Sequence, residues 1–465
     1  MNQFYQDLTK WITIVSENIW WFMLPLLFIV GVLMTIRTGM IQVRHLGTSF
    51  RLTFAGFFGR KSKLIHEGDI SPFAALSTAL AATIGNGNIG GVATALVSGG
   101  PGAIFWLWVC GFIGMALKYS EALLGVKFRE KHPDGTIAGG PMYYIKNGFK
   151  NKKLAAFLAP AFAVCGTIAT LFGTGNMMQS NQMTMAFESV FGISKWIMAV
   201  VITVLVGIVI IGGIKRIGMV AEKVVPGMLV LFFVFGTVVL IINITAIPAA
   251  FALIVKYAFT PAAAAGGFLG ASVKMGLQFG FRRGLLTNEA GLGSAPIAHA
   301  TAQTPSPVHQ GLLGICEVFI DTLAGCTFTA IVLLATGVWT SGLDGTAMAA
   351  ASFKAVPLGP TVVAICAFLF GYATLLGWCF YGEQCAKYLF GIKITYPYRI
   401  LFIILCFIGA VSSIQLVFFL GDIVNALMAL PNLIALVVLS GLVSKITKDF
   451  WKKYKTLEDY DGAPL

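Results

Sequence analysis

The sequence predicts an all-α polytopic membrane protein. Of its 465 residues, 57% are hydrophobic and only 11% are charged, which excludes an ordinary soluble domain. Apolar segments of about 20 residues, the length that crosses roughly 30 Å of hydrocarbon, recur along the chain. Glycine and asparagine interrupt some of these segments, and broken backbone at membrane depth is tolerated only inside protein or beside a cavity. We therefore expect a transmembrane helix bundle with a site at its breaks.

We predict eleven transmembrane helices. They are expected at about 18–36, 73–97, 102–127, 155–188, 194–213, 221–244, 262–281, 310–337, 358–390, 398–420 and 424–444. The first apolar run is long and has no small-residue cleavage site, so we interpret it as a retained helix rather than a signal peptide. No connection is long enough to hold a core of its own, so residues 1–465 are expected to form a single membrane domain.

Positive charge is concentrated in alternate connections. The rich ones are 37–63, 127–153, 215–223, 282–283, 387–399 and the tail from 445. By the positive-inside rule these are cytoplasmic, so the N-terminus is predicted outside the cell membrane and the tail, 445–465, inside. The net charge of +13 is scattered over loops rather than gathered in a stripe, so the lipid bilayer is the expected partner and nucleic acid is not. The oligomeric state stays open, with a monomer as the minimal case.

The ten helices after the first divide into two groups of five, 73–244 and 262–444. Each group starts with an interrupted segment: GNGN at 85–88 in the first, and GLQFG at 276–280, running on into 282–296, in the second. Five helices carry the chain across the membrane, so equivalent helices of the two groups run in opposite directions. An inverted repeat with two discontinuous helices in corresponding places is typical of a transporter binding site.

The first break offers ligands of both signs. Ser71 and Pro72 predict a helix start, Gly85 and Gly87 allow unwinding, and a second half-helix is expected from Asn88. The N–H groups that open the second half suit a carboxylate, and the carbonyls that end the first half suit a cation. The alternative is that these glycines only permit close helix packing.

Two further polar pairs lie within apolar segments. Asn176 and Gln179 share one helix face and could contact a substrate or tie helices together. Thr374 and Trp378 share another, where the hydroxyl could bind a hard cation such as Na⁺ or bond back to its own helix.

Charged residues near helices include two pairs with shared faces, Lys118 with Glu121 and Glu317 with Asp321. Pairing or snorkelling explains most such residues. Asp321 and Lys274 are expected to lie deepest, where they could bind or relay a cation. All five histidines are expected in cytoplasmic connections or at their edges, which argues against a histidine proton relay.

Four motifs in order make the chain recognisable: GDIS at 68–71, TALAATIGNGNIGG at 78–91, AGGPMY at 138–143 and TNEAGLGSAP at 287–296. Over essentially its whole length the sequence resembles the alanine/glycine:cation symporters, also called sodium:alanine symporters, of the amino acid–polyamine–organocation superfamily. The resemblance implies a secondary transporter, not an enzyme. It also implies the five-plus-five fold of the bacterial leucine transporter with one extra N-terminal helix.

The same resemblance implies the site residues. Around the substrate it implies backbone N–H groups of Asn86 and Gly87 at the carboxylate and the Thr83 carbonyl at the amino group, with further contacts from Asn88, Gln179, Phe279, Gly280 and Trp378. Around Na⁺ it implies carbonyls of Ala81, Ile84 and Phe370 with the Thr374 hydroxyl. Ala373 stands where similar proteins carry a second threonine. Na⁺ is the implied co-transported ion, and no organic cofactor is implied.

The expected function is Na⁺-coupled import of a small neutral amino acid, alanine or glycine. Proton coupling, with Asp321 or Glu383 titrating, and a preference for glutamine or serine are the alternatives within transport. A channel would need a polar pore-lining stripe or a ring of charge, and neither is visible. An enzyme would need a nucleophile with a base or a mid-membrane histidine with a carboxylate, and the sequence offers neither.

Overall fold

The computed structural model describes residues 2–58, 67–263, 268–304, 306–412 and 414–454. Within these ranges the chain is helical apart from one short hairpin, which confirms the predicted fold class. Eight helices there are long and apolar enough to cross a membrane: Asn18–Arg37, Gly102–Lys127, Lys152–Phe191, Gly213–Ile242, Pro307–Ala335, Gly359–Phe390, Ile392–Val411 and Gly421–Lys453. Several other predicted spans are shorter or interrupted helices, so the count of eleven stays a prediction.

Among the described residues up to Ile242, the structure has eleven α-helices and the hairpin. They are α1 (Asn2–Arg37), α2 (Ile41–Arg44), α3 (Leu46–Phe57), α4 (Pro72–Thr83), α5 (Gly90–Gly99), α6 (Gly102–Lys127), β1 (Glu130–Lys131), β2 (Ile137–Ala138), α7 (Pro141–Gly148), α8 (Lys152–Phe172), α9 (Met177–Phe191), α10 (Lys195–Ile210) and α11 (Gly213–Ile242). Strands β1 and β2 pair antiparallel. Residues 59–63 of the first basic connection lie outside the described residues.

The described residues from Ile247 onwards form nine α-helices and one π-helical segment. They are α12 (Ile247–Phe259), α13 (Val273–Asn288), α14 (Ala295–His299), α15 (Pro307–Val318), the π-helix Phe319–Cys326, α16 (Thr327–Ala335), α17 (Gly345–Ser352), α18 (Gly359–Phe390), α19 (Thr395–Val411) and α20 (Ile414–Lys453). Helix α20 merges the end of the predicted span 398–420 with the span 424–444. Of the predicted tail, residues 455–465 lie outside the described part of the chain.

The first predicted break is confirmed. The Ser71 hydroxyl accepts a hydrogen bond from the Ala74 N–H (2.9 Å), and Pro72 opens α4 where its missing N–H costs nothing. Helix α4 ends at Thr83, a single 3₁₀ turn spans Asn86–Asn88, and α5 continues from Gly90. A Cβ at Gly85 would lie 2.6 Å from the Thr374 hydroxyl oxygen, so glycine is needed where α18 approaches the break.

The second predicted break is at the wrong place. Helix α13 runs unbroken through residues 276–280, and the chain unwinds only at 289–294, between α13 and α14. A Cβ at Gly280 would lie 2.3 Å from the Ala103 carbonyl oxygen, so this glycine lets α13 pack closely on α6. The predicted helix 262–281 begins instead at Val273, and residues 264–267 of that range lie outside the described residues.

A third break, which we did not predict, divides the expected helix 155–188. Helix α8 ends at Phe172 and α9 begins at Met177, with turns at 173–176 between them. The Asn176 side chain, placed by this turn, donates to the Phe402 carbonyl (3.0 Å) on α19. The polar cluster around residues 173–182 therefore marks an interruption of the helix as well as a polar face.

Candidate functional site

The three breaks meet α18 at one narrow cavity. It is lined by Ala82, Thr83, Gly85, Gly87 and Gly91 from the first break; Thr174, Met178 and Gln179 from the α8–α9 break; Arg283, Leu286, Thr287 and Glu289 from the end of α13; and Thr374 and Trp378 from α18. Unwound backbone therefore borders a narrow cavity inside the helix bundle, the arrangement that membrane proteins tolerate around ligand sites.

Five of the residues expected at a substrate or sodium site line this cavity: Thr83, Gly87, Gln179, Thr374 and Trp378. The Asn86 N–H, expected at a substrate carboxylate, donates here to Oε1 of Gln179 (3.2 Å). Both side-chain amide atoms of Asn86 are buried without a hydrogen-bond partner among the described residues. Such a group is costly in the apolar interior and marks a position where a ligand or a rearrangement can satisfy it.

Two expected wall residues do not reach the cavity. Gly280 packs against Ala103 of α6, and Phe279 lies beside Gly99, where an added Cβ would come within 3.1 Å of the Phe279 Cβ. The part of α13 that lines the cavity starts at Arg283, one turn further along. Sequence reasoning missed Arg283, Leu286, Thr287 and Glu289, although three of them adjoin or belong to the 287–296 motif.

Three oxygens gather where α18 crosses the end of α4. The Thr374 hydroxyl donates to the Phe370 carbonyl (3.0 Å) and lies 3.5 Å from the Ile84 carbonyl oxygen. The alternative in which Thr374 bonds back to its own helix is confirmed, and the hydroxyl also faces the first break. Its binding of Na⁺ stays a prediction. Ala373 contributes only a buried methyl group beside them, and Ala81 lies one turn earlier in α4.

Asn88 connects the first break to the π-helical segment. Its Oδ1 accepts from the Gly85 N–H (3.1 Å), and its Nδ2 donates to Oδ1 of Asp321 (2.7 Å). The other carboxylate oxygen of Asp321 accepts from the Thr322 hydroxyl (2.6 Å). Asp321 is fully buried, as predicted. π-helical turns often occur at functional sites, and this one directs a carboxylate at the break.

The expectation that Lys274 lies deep in the membrane is wrong. It is the second residue of α13, it is exposed, and its ammonium group lies 4.2 Å from the centre of the Trp21 ring. A cation over an indole face at the end of a helix is a packing contact rather than an ion site. Helix α13 starts at Val273, eleven residues after the predicted start at 262, which accounts for the error.

Trp378 and Glu289 form one wall of the cavity. The Trp378 indole N–H donates to Oε1 of Glu289 (2.7 Å) and approaches the Ala82 carbonyl oxygen at 3.3 Å. The Ser294 hydroxyl donates to the other Glu289 oxygen (2.5 Å). Glu289 has a left-handed backbone (φ 54°), which is uncommon for a residue with a side chain and is often found at functional sites. The three elements α4, α13 and α18 are joined through these two side chains.

A buried ionic cluster lies behind the second break. Lys118 pairs with Glu317 (3.0 Å), and Nε2 of His299 contacts the other Glu317 oxygen (2.9 Å). His299 is fully buried at the end of α14, next to residues 300–303, and its expected place at the edge of a cytoplasmic connection stays a prediction. Glu121 accepts from the Gly291 N–H (3.0 Å), which ties the unwound segment to α6.

The two segments that border the first and second breaks are joined on one face of the molecule. Ile70 and Ala302 form a parallel bridge, and the Gln303 N–H donates to the Ile70 carbonyl (2.8 Å). The Arg129 guanidinium donates to the carbonyls of Ala302 (2.7 Å) and Glu67 (2.8 Å). Partial burial raises the pKa of Asp69, whose carboxylate accepts from the Ile137 N–H of β2 (2.9 Å). We call residues 67–70, 300–303 and Arg129 the inner clasp.

Comparison with known proteins identifies the family. The family model described as the sodium:alanine symporter family matches residues 5–462. The chain belongs to this family. It is 44% identical to the sodium/alanine symporter AgcS of Methanococcus maripaludis over 96% of this chain and 97% of that protein. It is 37% identical to the probable sodium/glutamine symporter GlnT of Bacillus subtilis over 98% of this chain and 93% of that one.

Solved structures confirm the fold. A crystal structure of MhsT in complex with L-phenylalanine matches with a TM-score of 0.60 and 13% identity, covering 86% of this chain and 97% of that one. A Na⁺-coupled sialic acid symporter matches with a TM-score of 0.51 and 12% identity, covering 92% and 98%. This member of the sodium:alanine symporter family is therefore a multi-pass membrane transporter of an amino acid with the leucine-transporter-like fold, and not an enzyme.

Proposed function

We propose that the protein imports a small neutral amino acid, alanine or glycine, across the cell membrane together with Na⁺, by alternating access. One observation carries the proposal. The oxygen cluster at Thr374 lies against the same helix break that borders the cavity. A cation held there and an amino acid held in the cavity would share the unwound backbone.

Na⁺ is a hard cation that favours oxygen ligands. We assign it to the Thr374 hydroxyl with the carbonyls of Phe370 and Ile84, and to the Ala81 carbonyl one turn further from the break. The carbonyl end of a helix carries partial negative charge, so the end of α4 favours a cation in this position. Ala373 supplies no oxygen, so we expect weaker Na⁺ binding than with a second hydroxyl there.

We assign the substrate carboxylate to the backbone N–H groups of Asn86 and Gly87, at the start of the turn that leads into α5. The positive end of a helix dipole favours an anion there. Because the Asn86 N–H now donates to Gln179, Gln179 would release it or bind the substrate as well. The Thr83 carbonyl would accept from the amino group, while Asn88 holds the break in shape. Trp378, Met178 and Leu286 line the same narrow cavity and would contact the side chain of the substrate, which favours a small apolar one. Phe279 and Gly280 have no direct role in this assignment.

We also propose that the face carrying the inner clasp is cytoplasmic, with the N-terminus outside. Arg129, Lys387 and Arg399 lie at this end of the helices, and Arg399 pairs with Glu383 (2.6 Å) and donates to the Ile211 carbonyl (2.9 Å). Clustered basic residues favour the cytoplasmic side. The inner clasp would then have to open before the amino acid and Na⁺ are released.

The test is uptake of labelled alanine into proteoliposomes. We expect accumulation with an inward Na⁺ gradient, none with an equal K⁺ gradient, and competition by glycine. Strong competition by glutamine but not by glycine would favour the preference suggested by the name of the Bacillus relative, and strong competition by serine alone would favour the serine alternative. Equal uptake under the Na⁺ and K⁺ gradients would contradict Na⁺ coupling.

Proton coupling is the second candidate, and the buried Asp321 carboxylate bonded to Asn88 favours it. A proton gradient without Na⁺ in the same vesicles separates the two. Proton-driven alanine uptake that is lost in Asp321→Asn would support this candidate, whereas uptake that follows only Na⁺ would contradict it.

A further inference from the structure

Two charged side chains line the cavity, and the proposed contacts use neither. Arg283 and Glu289 both come from the end of α13, six residues apart, which is about 9 Å along a helix axis. Glu289 lies beside Trp378, which also approaches the Ala82 carbonyl. The lining of the cavity therefore includes one basic and one acidic side chain.

Glu289 is a buried carboxylate with neutral partners. The Trp378 indole and the Ser294 hydroxyl donate to it, and no lysine or arginine of the described residues forms an ion pair with it. Lys118 interacts with it electrostatically but pairs directly with Glu317. A buried charge is costly unless a counter-charge accompanies it. A cation bound in the cavity would supply that counter-charge.

An ionised carboxylate can accept about four hydrogen bonds, and Glu289 receives two. An α-ammonium group carries three donors and one positive charge. Its proposed carbonyl partner belongs to Thr83, which lines the same cavity and adjoins Ala82, the residue that Trp378 reaches. An ammonium group held between Thr83 and Glu289 would leave the substrate carboxylate free to face the N–H groups of the first break.

We propose that Glu289 binds the α-ammonium group of the amino-acid substrate as its counter-ion. This assignment rests on the proposed function and adds to it the reason for selecting a zwitterion. The left-handed backbone at Glu289 ends α13 at the residue whose side chain lines the cavity. Arg283, which interacts electrostatically with Asp344, adds a basic side chain to the same lining.

The rival explanation is that Glu289 only positions Trp378. A pair of ligands that differ in the ammonium group distinguishes the two explanations. Alanine carries this group, and lactate has a hydroxyl in its place. Binding of both to the purified protein in Na⁺ is measured by calorimetry for the wild type and for Glu289→Gln. This variant keeps an acceptor for Trp378 and removes the charge. Glu188→Gln, on the exposed end of α9, is the matched control.

We expect Glu289→Gln to raise the Kd for alanine by about tenfold or more, because hydrogen bonds between charged groups are stronger than those between neutral groups. The Kd for lactate should change by less than about threefold. The preference for alanine over lactate is then lost in Glu289→Gln, while Glu188→Gln keeps it.

An equal loss of affinity for both ligands, or no loss for alanine, overturns the proposal. If Glu289→Gln does not fold, Glu289→Asp must keep the preference for alanine, and its loss there overturns the proposal too. A wild-type protein that binds no amino acid in Na⁺ would instead contradict the proposed function.

Discussion

At the scale of single residues, Thr374 is the side chain on which sodium coupling is expected to depend most. Its hydroxyl faces both the Phe370 and Ile84 carbonyls, and Ala373 offers no second hydroxyl to replace it. We expect Thr374→Ala to raise the Na⁺ concentration for half-maximal alanine uptake by about tenfold, since one ligand of the ion is lost, and Thr374→Ser to restore most of it.

The measurement is uptake in proteoliposomes over a range of Na⁺ concentrations. Thr203→Ala is the matched control, because the Thr203 hydroxyl makes the same kind of bond within its own helix, to Ala199 (2.6 Å), away from the cavity. An unchanged Na⁺ dependence in Thr374→Ala would remove this residue from the site.

Substitutions of Asn88 and Asp321 test whether the Asn88 amide and the Asp321 carboxylate stabilise the protein as a coupled pair. Asn88→Ala takes away a donor from a buried charge, and we expect it to lower the free energy of unfolding by about 1–3 kcal/mol and to weaken Na⁺-dependent uptake. Adding Asp321→Asn removes the charge itself, so the double variant should be more stable than the sum of the two single effects predicts. Thermal unfolding of the four proteins checks this, and additive effects would mean that the pair is not coupled.

At the scale of elements, α13 is held in place by its close approach to α6. A methyl group at Gly280 would collide with the Ala103 carbonyl, so Gly280→Ala should force the helices apart and lower stability by about 1–3 kcal/mol. Gly441→Ala is the control, since nothing lies within 4 Å of a Cβ at that position of α20. The two variants are compared by thermal unfolding. Equal stability of the two variants would contradict the packing role that we assign to Gly280 in place of its expected role in the pocket.

The inner clasp joins elements that the chain brings together from far apart in sequence. Arg129→Gln removes the guanidinium that bridges Glu67 and Ala302, so residues 67–70 and 300–303 should exchange their amide hydrogens faster. Lys131→Gln, an exposed change two residues away, should leave exchange as it is. Hydrogen exchange measured by mass spectrometry decides, and equal protection in both variants would show that the bridge and backbone bonds alone close this face.

Local signals in the sequence predict the first break and misplace the second, and the difference is physical. The first break depends on local effects of Ser71, Pro72 and the GNGN run on their own backbone. These effects can be predicted without knowing which other helices pack against them. Gly280 and Gly85 look alike in sequence, yet one packs against α6 within an intact helix and the other admits Thr374 at a break. At the end of α13 the Glu289 side chain is bound by Trp378 and Ser294, and those contacts exist only in the folded protein.

At the scale of the whole molecule, the charges inside the bundle favour a cation. Glu121, Glu289, Glu317 and Asp321 all interact electrostatically with Lys118, which bonds directly to Glu317 alone. Four buried carboxylates around one lysine make a region that attracts positive charge. Such a region suits a protein that carries Na⁺ with a zwitterion, because the substrate itself brings no net charge to balance it.

Transport of Na⁺ together with a zwitterion moves net charge, so we expect the membrane potential to drive accumulation of the amino acid. One Na⁺ moving with one neutral amino acid carries one charge, and 100 mV, negative inside, adds roughly 2.3 kcal/mol, or about 50-fold in accumulation. Proteoliposomes with a K⁺ diffusion potential set by valinomycin measure the alanine ratio at fixed Na⁺ concentrations. The ratio should rise with the potential in the wild type and in Glu188→Gln. In Thr374→Ala it should rise with the same slope at higher Na⁺, because the mutation weakens ion binding without changing the charge that moves. A ratio independent of potential would mean that the ion and the amino acid do not cross together with a net charge.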